Sequence, residues 1–259
     1  MLLNNAKKKI EDKIWDIKKK QPYNKFKPFY NSVIPLKIYQ TWYTKDLPPK
    51  MKQCVETLKA QHPKFEHFLF DDNDCREFIK ANFEPNVLNT YDNLIPGAYK
   101  ADLWRLCVLY INGGIYMDIK FSCINGFRLI ELTENEHFVL DRLGPLSIYN
   151  ALLVCKAKNK FLWMAICRIV SNVQNKFYGL SALEPTGPIL LGNIILKNKL
   201  NINIDIKHFK HGDYLIYKNR FVLSTGYPEY NSERTTTYNN MKSNIKRYDK
   251  MWAERRIYK

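Results

Sequence analysis

The sequence predicts an α/β domain built on a mixed, mostly parallel sheet, and two features carry that reading. Short β-branched and aromatic runs alternate with amphipathic helical patterns, the spacing of a sheet covered by helices on both faces. A short apolar run, Ile115 to Ile119, follows a Gly-Gly pair and places the acid Asp118 near its far end. In open α/β sheets, ligands bind outside the carboxyl ends of strands.

In order along the chain, Ile34 to Trp42 reads as a first strand entered through Pro35. Pro48-Pro49 opens a helix with Met51, Val55 and Leu58 on one face, stopped at His62-Pro63. Phe65 to Phe70 reads as a second strand, and Asp71 or Asp72 caps a helix that turns Cys75, Phe78 and Ile79 inward. Residues 96 to 112 give the strongest helical pattern, with Pro96 at the start and Gly113-Gly114 past the end. Farther on, Phe138 to Leu140 and Leu152 to Val154 read as strands and Lys160 to Val173 as a helix. Thr186-Gly187-Pro188 turns into a helix over 189 to 196. A strand-rich stretch from 204 to 223 and a basic helix around Tyr248 to Arg255 complete the pattern. No repeat or low-complexity linker breaks it, so the expected organisation is one domain over 31–241. It carries a basic helical extension at 1–30 and a basic helix at 242–259 packed on the domain.

Composition narrows the function. The 259 residues are 46% hydrophobic and 14% aromatic, too apolar for a disordered chain. No run nears the roughly 18 apolar residues of a membrane-spanning helix, and the N-terminus lacks a signal peptide's apolar core, so the default expectation is a cytoplasmic protein. The six cysteines have neither metal-ligand nor CxxC spacing and read as buried, reduced thiols. There are 41 Lys and Arg against 25 Asp and Glu, a net charge of +16, of which residues 1–30 hold +6 and residues 242–259 hold +5. Ile10, Ile14 and Ile17 share a helical face amid lysines; that stripe either packs on the domain or rests on an anionic membrane as a peripheral contact. The lysines come without a helix-turn-helix, zinc-finger or RNA-binding motif, so nucleic acid is not the expected partner.

The chemistry concentrates in Lys100-Ala101-Asp102-Leu103-Trp104-Arg105 and Gly113-Gly114-Ile115-Tyr116-Met117-Asp118-Ile119-Lys120. Asp102 and Arg105, three apart, share a helix face. They either pair structurally or jointly hold sugar hydroxyls, the carboxylate accepting and the guanidinium donating. Asp141 and Asn150 lie near strand ends and are candidates for acceptor or donor contacts, Asp141 reading equally as a turn residue. His208 and His211 flank a strand boundary and read as surface or satisfied core imidazoles rather than metal ligands.

Ala101-Asp102, Arg105, Leu109, Gly113-Gly114-Ile115-Tyr116 and Asp118 together resemble the core of glycosyltransferase family 32. These glycosyltransferases have a sugar-binding region containing a DXD motif and include fungal outer-chain mannosyltransferases and capsule or surface-polysaccharide enzymes. Ile34 to Trp42, with Gln40 and Thr41, is similar to the family's opening strand, and Thr186-Gly187-Pro188 to its TGP element. The resemblance implies a GT-A type nucleotide-sugar-binding fold and a retaining transfer of a hexose from a nucleotide-sugar donor to a glycan, protein or small acceptor. It places Asp102 and Arg105 on the donor sugar and Asp118 at the first acid of the DXD motif, the candidate metal contact. Gln40, Thr41 and Tyr116 fall in the donor-binding region. Trp42 matches an aromatic that stacks on uracil in related toxins, favouring a UDP-sugar slightly over GDP-mannose, and reads equally as a core anchor.

The motif's last acid is replaced by Lys120. An ammonium cannot ligate Mn²⁺ or Mg²⁺. Three readings stay open. Asp118 holds the metal with diphosphate oxygens and water, Lys120 supplies charge to the diphosphate, or Lys120 turns to solvent. The same lysine supports the alternative of a catalytically degenerate sugar-nucleotide-binding protein.

Overall fold

Alternation along the central strands builds a covered sheet. In β1 (Lys37–Thr41) and β3 (Gly114–Met117), Ile38, Ile115 and Met117 point into one apolar layer while Tyr39 and Tyr116 point into another. The same period-two switch in β6 (Ile148–Cys155) sends Leu152 and Val154 to the first layer and Leu153 and Cys155 to the second. The sheet is therefore buried on both faces, as the near-continuous apolar runs of these strands require.

The computed structural model describes residues 15–143, 146–197, 204–210, 212–240 and 247–259. The remaining strands are β2 (Glu66–Phe70), β4 (Ser122–Cys123), β5 (His137–Leu140), β7 (Ile206–His208), β8 (Tyr214–Tyr217) and β9 (Arg220–Ser224). They form one nine-stranded sheet in the order β2-β1-β3-β6-β5-β7-β8-β9-β4. The sheet is mixed, as expected, but not mostly parallel. β1 pairs in parallel with β2 and β3, and β5 with β7, while the other five pairings are antiparallel. The difference arises in the second half, where short connections such as the Lys218-Asn219 turn between β8 and β9 permit only antiparallel neighbours.

The helices are α1 (Pro49–Gln61), α2 (Asp72–Asn82), α3 (Pro85–Asn93), α4 (Gly97–Asn112), α5 (Lys160–Gln174), α6 (Pro188–Lys197), α7 (Tyr230–Asn240) and α8 (Tyr248–Ala253). Asp71 caps α2 in a reciprocal box with Asp74, and the Asn159 side chain caps α5. Pro85–Asn93, Tyr230–Asn240 and the two-residue β4 add elements that the sequence reading does not separate from loop. Helix α4 runs through the second layer with Leu103, Trp104 and Leu106 to Leu109 all buried. A helix apolar on nearly every side lies inside a core rather than on its surface. Helix α8 and the residues after it pack onto that layer through Met251, Ile257 and Tyr258.

At the N-terminal side, residues 15–19 are helical, and Trp15 rather than Ile17 meets the domain. Its ring centroid is 4.8 Å from Phe209 and 5.9 Å from Phe221, whereas Ile17 is 66% exposed. Ile10 and Ile14 lie outside the described residues. All six cysteines are free, but only four are buried: Cys54 is half-buried and Cys167 exposed on α5. No described helix is long and apolar enough to cross a membrane.

Helix α4 ends at Gly113, whose φ of 64° and ψ of −175° belong to a region essentially reserved for glycine. A Cβ there would lie 2.7 Å from the Ala157 backbone nitrogen. Gly113→Ala is accordingly expected to lower the unfolding free energy by about 2 kcal/mol or more, from backbone strain plus the clash. Urea denaturation reads this directly, and an unchanged midpoint would contradict it.

Candidate active site

The turn after β3 is the local feature that shapes the site. The strand stops at Met117, one residue before the acid, and Phe121 N–H donates to the Asp118 carbonyl at 3.0 Å, closing a tight turn over 118–121. The turn draws Asp118 and Lys120 together, and both border a cleft of about 600 Å³. Lys120 does not turn to solvent. Its side chain is 22% exposed, with Nζ 3.6 Å from Asp118 Oδ2.

Helix α4 supplies the cleft's floor. Asp102, 8% exposed, accepts from Asn150 Nδ2 at 2.9 Å on one oxygen and from Thr186 Oγ1 at 2.8 Å on the other. Arg105 lies beside it, Nη2 3.4 Å from Asp102 Oδ1, and Nη1 donates to the Asn150 carbonyl at 2.7 Å. The guanidinium carbon stands 4.4 Å from the Tyr116 ring centroid, and Nη1 lies 3.7 Å from Asp118 Oδ1. Tyr116 O–H donates to that same Asp118 oxygen at 2.9 Å. A carboxylate offers about four acceptor positions, so Asp102 keeps acceptor capacity toward the cleft after these contacts.

Burial pushes the Asp102 carboxyl up to about 6, against the opposing pull of Arg105 and the Thr186 hydrogen bond. Burial, followed by the Asp118 charge and opposed by Arg105, raises Tyr116 well above its ordinary value, so its hydroxyl stays a donor at neutral pH.

The sequence candidates converge with one exception. Thr41, Trp42, Asp102, Arg105, Tyr116, Asp118, Lys120, Asp141 and Asn150 all border the one cleft. Gln40 does not: it is fully buried beneath, its Nε2 donating to the Asp118 carbonyl at 3.3 Å and its Oε1 2.7 Å from His67 Nε2. It positions the turn instead of touching a ligand. Thr41 donates its hydroxyl to the Phe70 carbonyl at 2.9 Å. Trp42 is both wall and anchor, packed on Met51, Val55 and Ile119 with its indole N–H buried and without a hydrogen-bond partner. Asp141 accepts from Ser147 Oγ at 3.1 Å and lies 3.5 Å from His208 Nδ1. Burial raises its carboxyl, but these contacts outweigh it and hold the group below the usual range.

The sequence reading missed His208 as a site residue. It is not a surface group: it lies 7% exposed against the cleft, its ring 4.3 Å from Tyr149 and its Nδ1 3.5 Å from Asp141 Oδ1, while Nε2 is buried without a hydrogen-bond partner. His211 lies outside the described residues. Tyr230 and Arg234 at the start of α7 were also missed, because that segment shows no apolar periodicity.

The donor set does not fit a resident Mn²⁺ or Mg²⁺. Asp118 Oδ1 is engaged by Tyr116, and Oδ2 faces the Lys120 ammonium, where a hard cation would meet like charge. Among the described residues no group of three or more His, Cys, Asp or Glu side chains is arranged to hold a metal.

Comparison with known proteins agrees with the region that builds this site. Residues 48–138 match the family model described as "Glycosyltransferase sugar-binding region containing DXD motif". Over these residues the chain is similar to that glycosyltransferase family. It is 30% identical over 169 residues to inositol phosphoceramide mannosyltransferase 3 of Schizosaccharomyces pombe, covering 63% of this chain and 45% of that protein. It is 30% identical over 104 residues to the initiation-specific alpha-1,6-mannosyltransferase of Candida albicans, covering 38% of this chain and 26% of that protein. The chain thus spans less than half the length of these curated relatives. Among solved structures it is similar to the PaToxG glycosyltransferase, with a TM-score of 0.49 and 15% identity over 65% of this chain and 71% of that one. Asp118-Ile119-Lys120 lies within the matched residues.

Because Asp102 takes up its proton near pH 6 when folded and near 3.8 when unfolded, the folded state binds more protons between those values. Its contribution is therefore most favourable at low pH and is lost as pH rises through 6. The stability of the natural protein minus that of Asp102→Asn is expected to fall by on the order of 2 kcal/mol from pH 4.5 to pH 7. Parallel urea titrations at the two pH values check it, and a flat difference would contradict the burial cost.

Proposed function

We propose that this protein is a glycosyltransferase that moves a hexose from a nucleotide-sugar donor to a glycan, protein or small acceptor, with retention at the anomeric carbon. The convergence of Asp102, Arg105, Tyr116 and Asp118 on one cleft carries the proposal. A cleft of about 600 Å³ lies within the range of small-ligand sites, roughly 300–1,000 Å³. In it, Asp102 and Arg105 accept from and donate to the sugar hydroxyls, while Trp42 offers an aromatic wall for the base.

Transfer at an anomeric carbon passes through an oxocarbenium-like state, so the protein has to orient the sugar, exclude water and stabilise the departing diphosphate. Asp102 is held by Asn150, Thr186 and Arg105, which fixes it before substrate arrives. The relatives named above transfer mannose, which favours a mannosyl donor, whereas Trp42 slightly favours a UDP-sugar. A panel of UDP- and GDP-sugars separates the two.

With the preferred donor, Asp102→Asn and Asp118→Asn are each expected to lower kcat/KM for donor turnover by about 10²-fold or more, with an unfolding midpoint close to that of the natural protein. Turnover of nucleotide sugar, followed by nucleotide release, reads the effect. Full activity in both variants would remove the transferase proposal, and an absence of turnover in the natural protein with bound nucleotide would favour the binding-only alternative.

A further inference from the structure

The wall of the cleft beside Asp118 holds two cations on one aromatic ring. Lys120 Nζ lies 4.8 Å from the Tyr230 ring centroid, and the Arg234 guanidinium carbon lies 5.5 Å from the same ring. Tyr230 and Arg234 are one helical turn apart on α7 and so share a face. All three border the cleft. Arg234 gives one Nη2 bond, 3.1 Å to Asn231 Oδ1, while its Nε is buried without a hydrogen-bond partner. At 3.6 Å from Asp118 Oδ2, Lys120 is beyond direct hydrogen-bond reach of that oxygen, so the ammonium's three donors stay available.

We infer that Lys120, with Arg234 across Tyr230, binds the diphosphate of the nucleotide-sugar donor in place of a divalent metal. This inference rests on the transferase reading above and adds how the leaving group is held. A fixed ammonium in a partly enclosed cleft supplies the positive charge that a metal would otherwise bring, and its attraction for phosphate is far stronger there than in bulk water. The Tyr230 face keeps the two cations in place without consuming their N–H donors. Asp118 opposite restrains Lys120 and, through Tyr116, connects it to the sugar-facing Arg105. During transfer the bond from the anomeric carbon to the diphosphate oxygen breaks and its electron pair stays on the diphosphate. The acceptor oxygen forms the new bond to that carbon, and its proton passes to the departing diphosphate. Lys120 and Arg234 offset the charge left on the diphosphate oxygens.

The test is thermal unfolding of the full chain with UDP and with GDP, each in Mn²⁺ and in EDTA, for the natural protein, Lys120→Ala and Lys120→Asp. Ligand that binds the folded state alone raises the midpoint by mass action. In the natural protein the preferred nucleotide is expected to raise the midpoint equally in Mn²⁺ and EDTA. Lys120→Ala is expected to weaken that nucleotide at least tenfold while its unliganded midpoint stays close to the natural one. Lys120→Asp, which completes a D-x-D, is expected to respond to nucleotide only with Mn²⁺. A rise in the natural protein that disappears in EDTA overturns the inference and leaves the transferase reading standing. Undiminished affinity in a folded Lys120→Ala also overturns it. No rise with either nucleotide under either condition overturns the inference and the donor reading together. If Lys120→Ala does not fold, the comparison of Mn²⁺ with EDTA in the natural protein still decides.

Discussion

The buried Asp102 carboxylate is the joint on which the site depends. It ties α4 to β6 through Asn150 and to the loop before α6 through Thr186, and Arg105 closes the triangle by bonding the Asn150 carbonyl. An ion pair this deep gives little net stability, since desolvation offsets most of the attraction. The raised Asp102 carboxyl is a direct expression of that cost. A core of comparable volume filled by apolar side chains would fold at least as well. The pair therefore makes sense as a prepositioned recognition element, held rigid by a helix that is itself enclosed in core.

Around that joint, burial and reach are divided between elements. Helix α4 is locked by Leu103, Trp104 and Leu106 to Leu109, so the charged residues it carries have no freedom to relax away from the cleft. The turn at 118–121 is held by its own hydrogen bond and by Gln40 beneath it. The opposite wall, with Tyr149, His208 and Tyr230, comes from the second half of the chain. A donor would lie between a floor made early in the sequence and a wall made late, a common arrangement for a site at the edge of a mixed sheet.

The Asp118–Lys120 pair sets the site's electrostatic character. In a D-x-D arrangement two carboxylates repel each other until a cation joins them. Here the second position carries the cation covalently, and the two groups face one another across 3.6 Å. The turn makes this possible, because in a continued strand residues 118 and 120 would share a face at a fixed separation set by the strand's rise.

By itself the sequence determined the alternation of strands and helices, the two-sided burial of the central strands and the block around Asp102, Arg105 and Asp118, because these depend on local periodicity and on residue types at short spacing. Gly113 and Gly114 marked the end of α4 for the same reason: a positive φ is a local demand. What only the tertiary structure decided was pairing direction in the second half of the sheet, the withdrawal of Gln40 from the cleft, and the arrival of His208, Tyr230 and Arg234 beside it. The last two outcomes depend on contacts between residues about 60 to 190 positions apart, such as His208 with Tyr149, Gln40 with Asp118 and Trp42 with Tyr230. No periodicity reports such contacts, since they are fixed by how the layers pack once the chain has closed.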